Sequence, residues 1–211
     1  MLYIINLLPG TLLIFTWYLA SKYLKNRWGF ITAGVLLTLI ASIFSISMNL
    51  VGGAILAVTT PVTDVKKYYE IHEEIGDSEL ISHFPLPIPE NATSIKFDYL
   101  PKFLQGGSHI QLKFNLPQPE INELLIEYRA NAKYIFIGGD RSDHLNEDGG
   151  VPTTYFYTSE TDDTSFPNNY EILVLNAEPG GTSGFQWNHG YSYGVVISLE
   201  KTEIIYWAEY W

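Results

Sequence analysis

Two long apolar runs occupy the first sixty residues. The first is 2–20, and the second is an uncharged stretch of 36 residues, 28–63, which is most apolar over 30–50. Because a bilayer core about 30 Å thick is crossed by about 20 helical residues, uncharged runs of this length are typical of membrane spans rather than of buried core helices. The pattern therefore predicts a membrane anchor, residues 1–58, with transmembrane helices at about 2–20 and 30–50.

The cations around these runs predict an orientation. Lys22, Lys25 and Arg27 lie between the two predicted spans, and no charged residue precedes the first span. The lack of a cation before the first run argues against a cleaved signal peptide. Because short cationic loops stay in the cytoplasm, both termini are expected outside it, in a plasma or inner membrane. Residues 59–211 would then form an extracytoplasmic domain.

Helical periodicity returns twice in this domain. Over Pro61–Ile75, apolar and aromatic residues recur with the spacing of one helix face, and Gly76 with Asp77 predicts the end of this helix. Pro119 and Glu120 predict the first turn of a second helix, since proline fits the first turn and an acid suits its positive end. The apolar stripe of the second helix is formed by Ile121, Leu124, Leu125 and Tyr128.

The remaining pattern alternates every second residue, as in half-buried antiparallel strands. Ile95–Tyr99 and Ile110–Leu116 predict a hairpin, and Leu199 paired with Thr202 across Glu200-Lys201 predicts a second hairpin at the end of the chain. Three short strands are expected between them, at Tyr134–Ile137, Thr153–Tyr157 and Tyr170–Leu175. Helices segregated from a mostly antiparallel sheet make this an α+β fold.

Composition and charge exclude several classes of function. Residues 59–211 contain 9 Lys and Arg but 23 Asp and Glu, a formal charge of 9 − 23 = −14. Such an acidic domain lacks the basic surface that nucleic acid requires, so no nucleic-acid partner is expected. The chain has no cysteine, which excludes disulfides and thiolate zinc sites, and no phosphate loop or other cofactor motif, so no cofactor is expected.

An acidic loop is the candidate metal site. Asp140, Asp143, Glu147 and Asp148 lie between two glycine pairs, and carboxylate oxygens are the ligands that Ca²⁺ takes. An EF-hand loop beginning at Asp140 would need glycine at its sixth position, where Leu145 stands. The alternative is a solvated acidic loop without a metal.

An aromatic loop before the last hairpin is the candidate ligand-binding site. Its aromatic rings offer flat faces and its amides and imidazole offer hydrogen bonds, a combination that suits a sugar or a protein partner. The alternative is that these rings belong to the packing of the sheet. The candidate residues are Gln186, Trp187, Asn188, His189 and Tyr191.

Three hypotheses of function follow. The organisation resembles that of small bacterial membrane proteins that present a compact outside domain on two helices, which implies a membrane-anchored binding or accessory protein with a protein or glycan partner. An envelope hydrolase using a carboxylate pair is the second hypothesis, and a structural subunit of a larger membrane complex is the third. No catalytic motif is present, so no enzyme activity is assigned from the sequence.

Overall fold

The computed structural model describes Tyr18, Lys22 and residues 27–104, 106–139, 151–161, 164–182 and 186–211. The chain divides into two compact units, Met1–Ala57 and Val58–Trp211. Apart from Tyr18, the predicted first span at 2–20 lies outside the described residues.

Helix α1 (Arg27–Thr59) contains 33 residues. Its segment Gly34–Gly53 has a mean hydropathy of 2.0 over 20 residues and is long and apolar enough to cross a membrane, since it would extend about 30 Å. Its apolar side chains are exposed, Phe44 by 60% and Ile43 by 64%. This is the one such helix in the described part of the chain, so the helix at 30–50 is present, whereas two spans stay a prediction.

Polar side chains within α1 bond to the backbone of their own helix. Thr38 Oγ1 donates to Gly34 O at 2.7 Å, and Ser42, Ser47 and Asn49 each bond to the carbonyl four residues earlier. Because these groups have partners inside the helix, they need no water, which is the condition for placing them in hydrocarbon.

The first helix of the domain begins later than predicted. Val62 is extended and exchanges two backbone hydrogen bonds with Tyr99, at 2.7 and 3.0 Å. Asp64 then accepts from the amide of Lys66 at 3.0 Å and caps a 3₁₀ turn, Val65–Lys67. Helix α2 therefore covers Tyr68–Ile75, and the predicted start at Pro61 is wrong because the chain there pairs with a strand.

The predicted end of the first domain helix and the predicted start of the second are confirmed. Helix α2 stops at Gly76, whose φ of 70° suits glycine. Helix α3 (Gln118–Asn131) carries Pro119 in its first turn and buries Ile121 and Leu125.

The described strands form one six-stranded sheet in the order β1-β2-β6-β5-β4-β3, and every neighbouring pair is antiparallel. This confirms the expected α+β fold with an antiparallel sheet. The strands are β1 (Thr93–Leu100), β2 (Ser108–Asn115), β3 (Tyr134–Ile137), β4 (Glu171–Pro179), β5 (Gly190–Ser198) and β6 (Glu203–Tyr210).

The register predicted for the last hairpin is confirmed. Tyr191 lies opposite Tyr210, Val195 opposite Tyr206, and Ile197 opposite Ile204. The turn closes with Thr202, whose φ is 52°. Since a slip by one residue would exchange the two faces, this register fixes which side chains meet each layer.

The strand predicted at Thr153–Tyr157 is wrong. These residues are not part of any strand among those described. They belong instead to an irregular stretch, 151–161 and 164–170, which we call the covering segment. Its β-branched and aromatic residues contact one face of the sheet, rather than pairing with a strand edge.

The sheet consequently has two different layers against it. One face, the helix-covered face, packs its apolar side chains against α2, α3 and the proline-rich segment 84–89, and includes Phe114, Leu112 and Val195 at 0% exposure. The other, the loop-covered face, packs Val196, Ile205 and Trp207 against Phe156, Phe166 and Tyr170 of the covering segment. The expectation of half-buried strands is therefore wrong for the central strands, which are buried on both faces.

Candidate functional site

Polar side chains lie buried on the loop-covered face. Strand β2 directs His109, Gln111 and Lys113 to this face, and their exposed fractions are 8%, 0% and 3%. Strand β6 adds Glu203, at 6% exposure. Buried groups of this kind are stable only when they are hydrogen-bonded or paired, so their partners define the site.

Gln111 ties the covering segment to the sheet. Its Nε2 donates to Tyr155 O at 2.9 Å and to Thr154 Oγ1 at 3.3 Å. Its Oε1 accepts from both the amide and the hydroxyl of Thr158, at 2.9 and 2.8 Å. The backbone of the covering segment pairs with no strand, so its N–H and C=O groups need other hydrogen-bond partners. The side chain of Gln111 supplies two of them, at Tyr155 and Thr158.

A buried ion pair lies further along the same face. Lys113 Nζ is 3.3 Å from Glu203 Oε2, and both side chains are less than 10% exposed. The hydroxyl of Tyr170 donates to Glu203 Oε1 at 2.6 Å. Burial, followed by this hydrogen bond and the charge of Glu203, raises the pKa of Tyr170. The carboxylate therefore has two partners, one on the sheet and one on the covering segment.

At the other end of β2, His109 is held by a carboxylate and a ring. Its Nε2 is 2.7 Å from Asp98 Oδ1, and its imidazole stacks on Tyr157 with centroids 3.6 Å apart and planes at 3°. Because a carboxylate oxygen accepts, we assign the donated proton of this hydrogen bond to Nε2 of His109.

Glu209 completes this group from strand β6. It lies opposite His109 in the register, and Thr154 Oγ1 donates to its Oε1 at 2.6 Å. The pKa of Tyr157 is raised first by burial, then by the charge of Glu209 and a hydrogen bond to it. The phenol therefore stays protonated and acts as a donor at neutral pH.

His109, Tyr157 and Glu209 border a pocket at the strand ends, with a cavity volume of about 280 Å³. Its size approaches the lower limit of small-molecule sites, and it combines ring faces with a few polar groups, as such sites do. We call it the strand-end pocket. Its polar lining is Ser108, His109, Thr153 and Glu209, its aromatic lining is Tyr155, Tyr157, Tyr210 and Trp211, and Leu100, Gly107 and Pro152 complete it.

None of the residues predicted to bind a ligand lines this pocket, and one of them, Trp187, lies beside it. Trp187 is in a 3₁₀ turn, Gln186–Asn188; its carbonyl accepts from Trp211 Nε1 at 2.7 Å, and the two rings are 6.2 Å apart. Gln186, Asn188 and His189 are exposed. Tyr191 contacts the core of the helix-covered face instead. The structure therefore places Trp187 near the pocket and Tyr191 on the opposite side of the sheet.

The residues of the predicted metal site, Asp140, Asp143, Glu147 and Asp148, lie outside the described residues. Among the residues that are described, no three His, Asp or Glu side chains come together as a metal site.

The pocket residue His109 was not found from the sequence because the alternation along β2 predicts a half-buried strand, whose polar face would be in water. His109, Gln111 and Lys113 have the alternation of such a face. A second pattern indicates that this face is covered. Residues 151–157 are apolar, aromatic or hydroxylic and carry no charge, which is typical of a segment that packs against another surface.

The fold and pocket together define a class, an antiparallel α+β domain with a small mixed-polarity pocket at its strand ends. Comparison with protein-family models gave no match. Neither the curated proteins nor the solved structures contained a match to this chain.

Proposed function

We propose that this chain is a membrane-anchored binding protein whose sheet domain lies outside the cytoplasm and takes its ligand in the strand-end pocket. The pocket is the observation that supports this function. It brings four aromatic rings, one carboxylate and one carboxylate-oriented imidazole to a single cavity, and convergent polar groups in an aromatic cavity are what ligand recognition requires.

The membrane part of the proposal comprises two spans with both termini outside. Helix α1 supports one span by its length and its exposed apolar side chains. The cations Lys22, Lys25 and Arg27 support the orientation, because they cluster around the start of α1 and would be held in the cytoplasm.

Two alternatives are weaker on this geometry. An envelope hydrolase with a carboxylate pair would need two acids flanking the cleft. Among the described lining residues Glu209 is the one acid. Asp98 bonds to His109 but does not line the pocket. A structural subunit of a membrane complex would not need a lined pocket.

Photo-crosslinking in native membranes tests the binding function. A benzophenone amino acid replaces Tyr155, a lining residue that is 42% exposed, and, as a matched control, Ile126 on α3, which is 70% exposed and does not line the pocket. We expect a discrete adduct at position 155 that weakens when Glu209→Gln is introduced, and none at position 126. Equal labelling at both positions, or no adduct at 155, would overturn the proposal.

A further inference from the structure

The rings of the strand-end pocket form a corner. The planes of Tyr155 and Tyr157 meet at 74° with centroids 6.0 Å apart, and Trp211 is fixed beside them by its bond to the carbonyl of Trp187. Ring faces carry the negative part of the aromatic quadrupole, so the rings that line the pocket can attract a cation.

The charge inside the pocket is also negative. Glu209 is the one formally charged side chain among the described lining residues, and Asp98 lies directly behind His109 at 2.7 Å. The surrounding domain has a formal charge of −14. A cation is therefore drawn toward the domain by its net field and toward the pocket by a local carboxylate.

One ring of the pocket already holds an ammonium group. Lys102 Nζ lies 3.7 Å from the ring centroid of Tyr210, within the distance at which cation–π attraction operates. Lys102 is exposed and does not line the cavity, so its side chain can leave the ring at little cost. The chain thus carries its own weak competitor for a ring of the site.

We propose that the strand-end pocket binds a small organic cation, an amine or quaternary ammonium group, against Tyr155 and Tyr210 with Glu209 as the counter-charge and Lys102 as an internal competitor. This inference rests on the proposed binding function and names its ligand class. The positive charge of the ligand complements the carboxylate of Glu209, and its carbon surface matches the aromatic walls.

The test compares choline with 3,3-dimethylbutanol, its neutral isostere, on the full chain in lipid nanodiscs at constant ionic strength. Saturation-transfer NMR gives the affinity of each. We expect choline to bind and the neutral isostere to bind at least roughly tenfold more weakly, because charge rather than shape decides recognition.

Four variants locate the binding. Glu209→Gln, which keeps the hydrogen-bond acceptor for Thr154, should weaken choline binding roughly tenfold, and Tyr155→Leu should also weaken it. Lys102→Gln should strengthen binding about two- to fivefold, the factor that one exposed cation–π contact represents. Lys201→Gln, which removes an equal charge outside the pocket, is the control and should change nothing.

Equal binding of the two isosteres, or choline binding that ignores Glu209→Gln and Tyr155→Leu, overturns the cation assignment. If choline does not bind while the adduct at position 155 still forms, the ligand class is wrong and the binding function stands. If neither is observed, both proposals fail.

Discussion

Helix α1 and the sheet domain use the same apolar residue types in opposite ways. Phe44 in α1 is 60% exposed, whereas Phe114 in β2 is fully buried. A helix satisfies its own backbone and can present apolar side chains to lipid, but a sheet must bury its faces between layers. Exposure of apolar residues along α1 therefore fits a surrounding of lipid, whereas the sheet of the domain keeps its central apolar side chains, such as Phe114, away from solvent.

Charge separates the two regions as well. Residues 1–58 contain three cations and no acid, and all 23 acids lie in residues 59–211. The domain buries a pair of charged side chains, Lys113 and Glu203, on its loop-covered face, whereas the segment Gly34–Gly53 contains no charged residue. The domain can do so because the covering segment and sheet supply partners for each charge.

The largest expected difference comes from shortening a matched pair of phenylalanines. Phe114→Ala should lower the free energy of unfolding of the domain by about 3–5 kcal/mol, since it leaves a cavity in a close-packed core. Phe44→Ala should leave that free energy unchanged, because this ring packs in no core. Guanidinium chloride unfolding of the full chain in nanodiscs, followed by tryptophan fluorescence, measures both. Equal losses would remove the contrast between the regions.

Breaking the buried ion pair should have a comparable effect. Lys113→Met leaves the carboxylate of Glu203 buried with Tyr170 alone, which should cost about 3–5 kcal/mol of unfolding free energy. The double variant Lys113→Met with Glu203→Gln should recover more than half of that loss, because no uncompensated charge remains. Lys67→Met, in the exposed pair with Glu70, serves as the control in the same unfolding assay. A single and a double variant of equal stability would show that the pair is not desolvated.

Acid should weaken the domain through His83. Its Nε2 donates to Gly194 O at 2.9 Å, and its ring stacks on Tyr193. Burial lowers its pKa to about 4, against the ordinary 6.5, and the bonds to backbone at Gly194 and Trp207 oppose this only in part.

Between about pH 6.5 and pH 4, His83 is therefore protonated in the unfolded chain but neutral in the folded chain. Stability falls as pH drops through that window, by about 2 kcal/mol between about pH 7.5 and about pH 5. His83→Gln should remove this part of the pH dependence, measured by unfolding at both pH values. A variant whose stability falls with pH as steeply as that of the parent would contradict the assignment.

The smallest effect is expected for a surface pair. Arg129 binds the carboxylate of Glu171 through two nitrogens, with Nε 2.6 Å from Oε1, but its side chain is 51% exposed. Arg129→Gln should therefore cost less than about 1 kcal/mol, and less still in high salt. Thermal unfolding at low and high ionic strength provides the measurement. A loss above about 2 kcal/mol would mean that this pair belongs to the packed structure.

Local patterns predicted most of the sheet. The last hairpin was predicted in its observed register because alternation fixes which residues share a face and a two-residue turn fixes the pairing. Helix α3 followed from Pro119 and its apolar stripe. The start of α2 failed because Val62 pairs with Tyr99, a contact between residues 37 positions apart that no local pattern contains.

The site was less predictable than the fold. Gln111 meets Thr154 and Tyr155 across 43 and 44 residues, and the covering segment that buries it was predicted in part as a strand, Thr153–Tyr157, rather than as a layer over the sheet. Burial of His109 and Lys113 was therefore invisible to pattern analysis. The aromatic loop was predicted to be the ligand-binding site itself, but it does not line the pocket, although Trp187 contacts Trp211. The pocket depends on contacts between residues distant in sequence.

Cysteine labelling in intact cells tests most directly the central claim, that the acidic domain stands outside the cytoplasm on a membrane anchor. The chain has no native cysteine, so Lys201→Cys and Lys25→Cys each give a single reactive thiol. We predict that a membrane-impermeant maleimide labels Lys201→Cys in intact cells and labels Lys25→Cys only after permeabilisation. The reverse result would place the domain in the cytoplasm, and loss of both variants to the soluble fraction would contradict the membrane anchor.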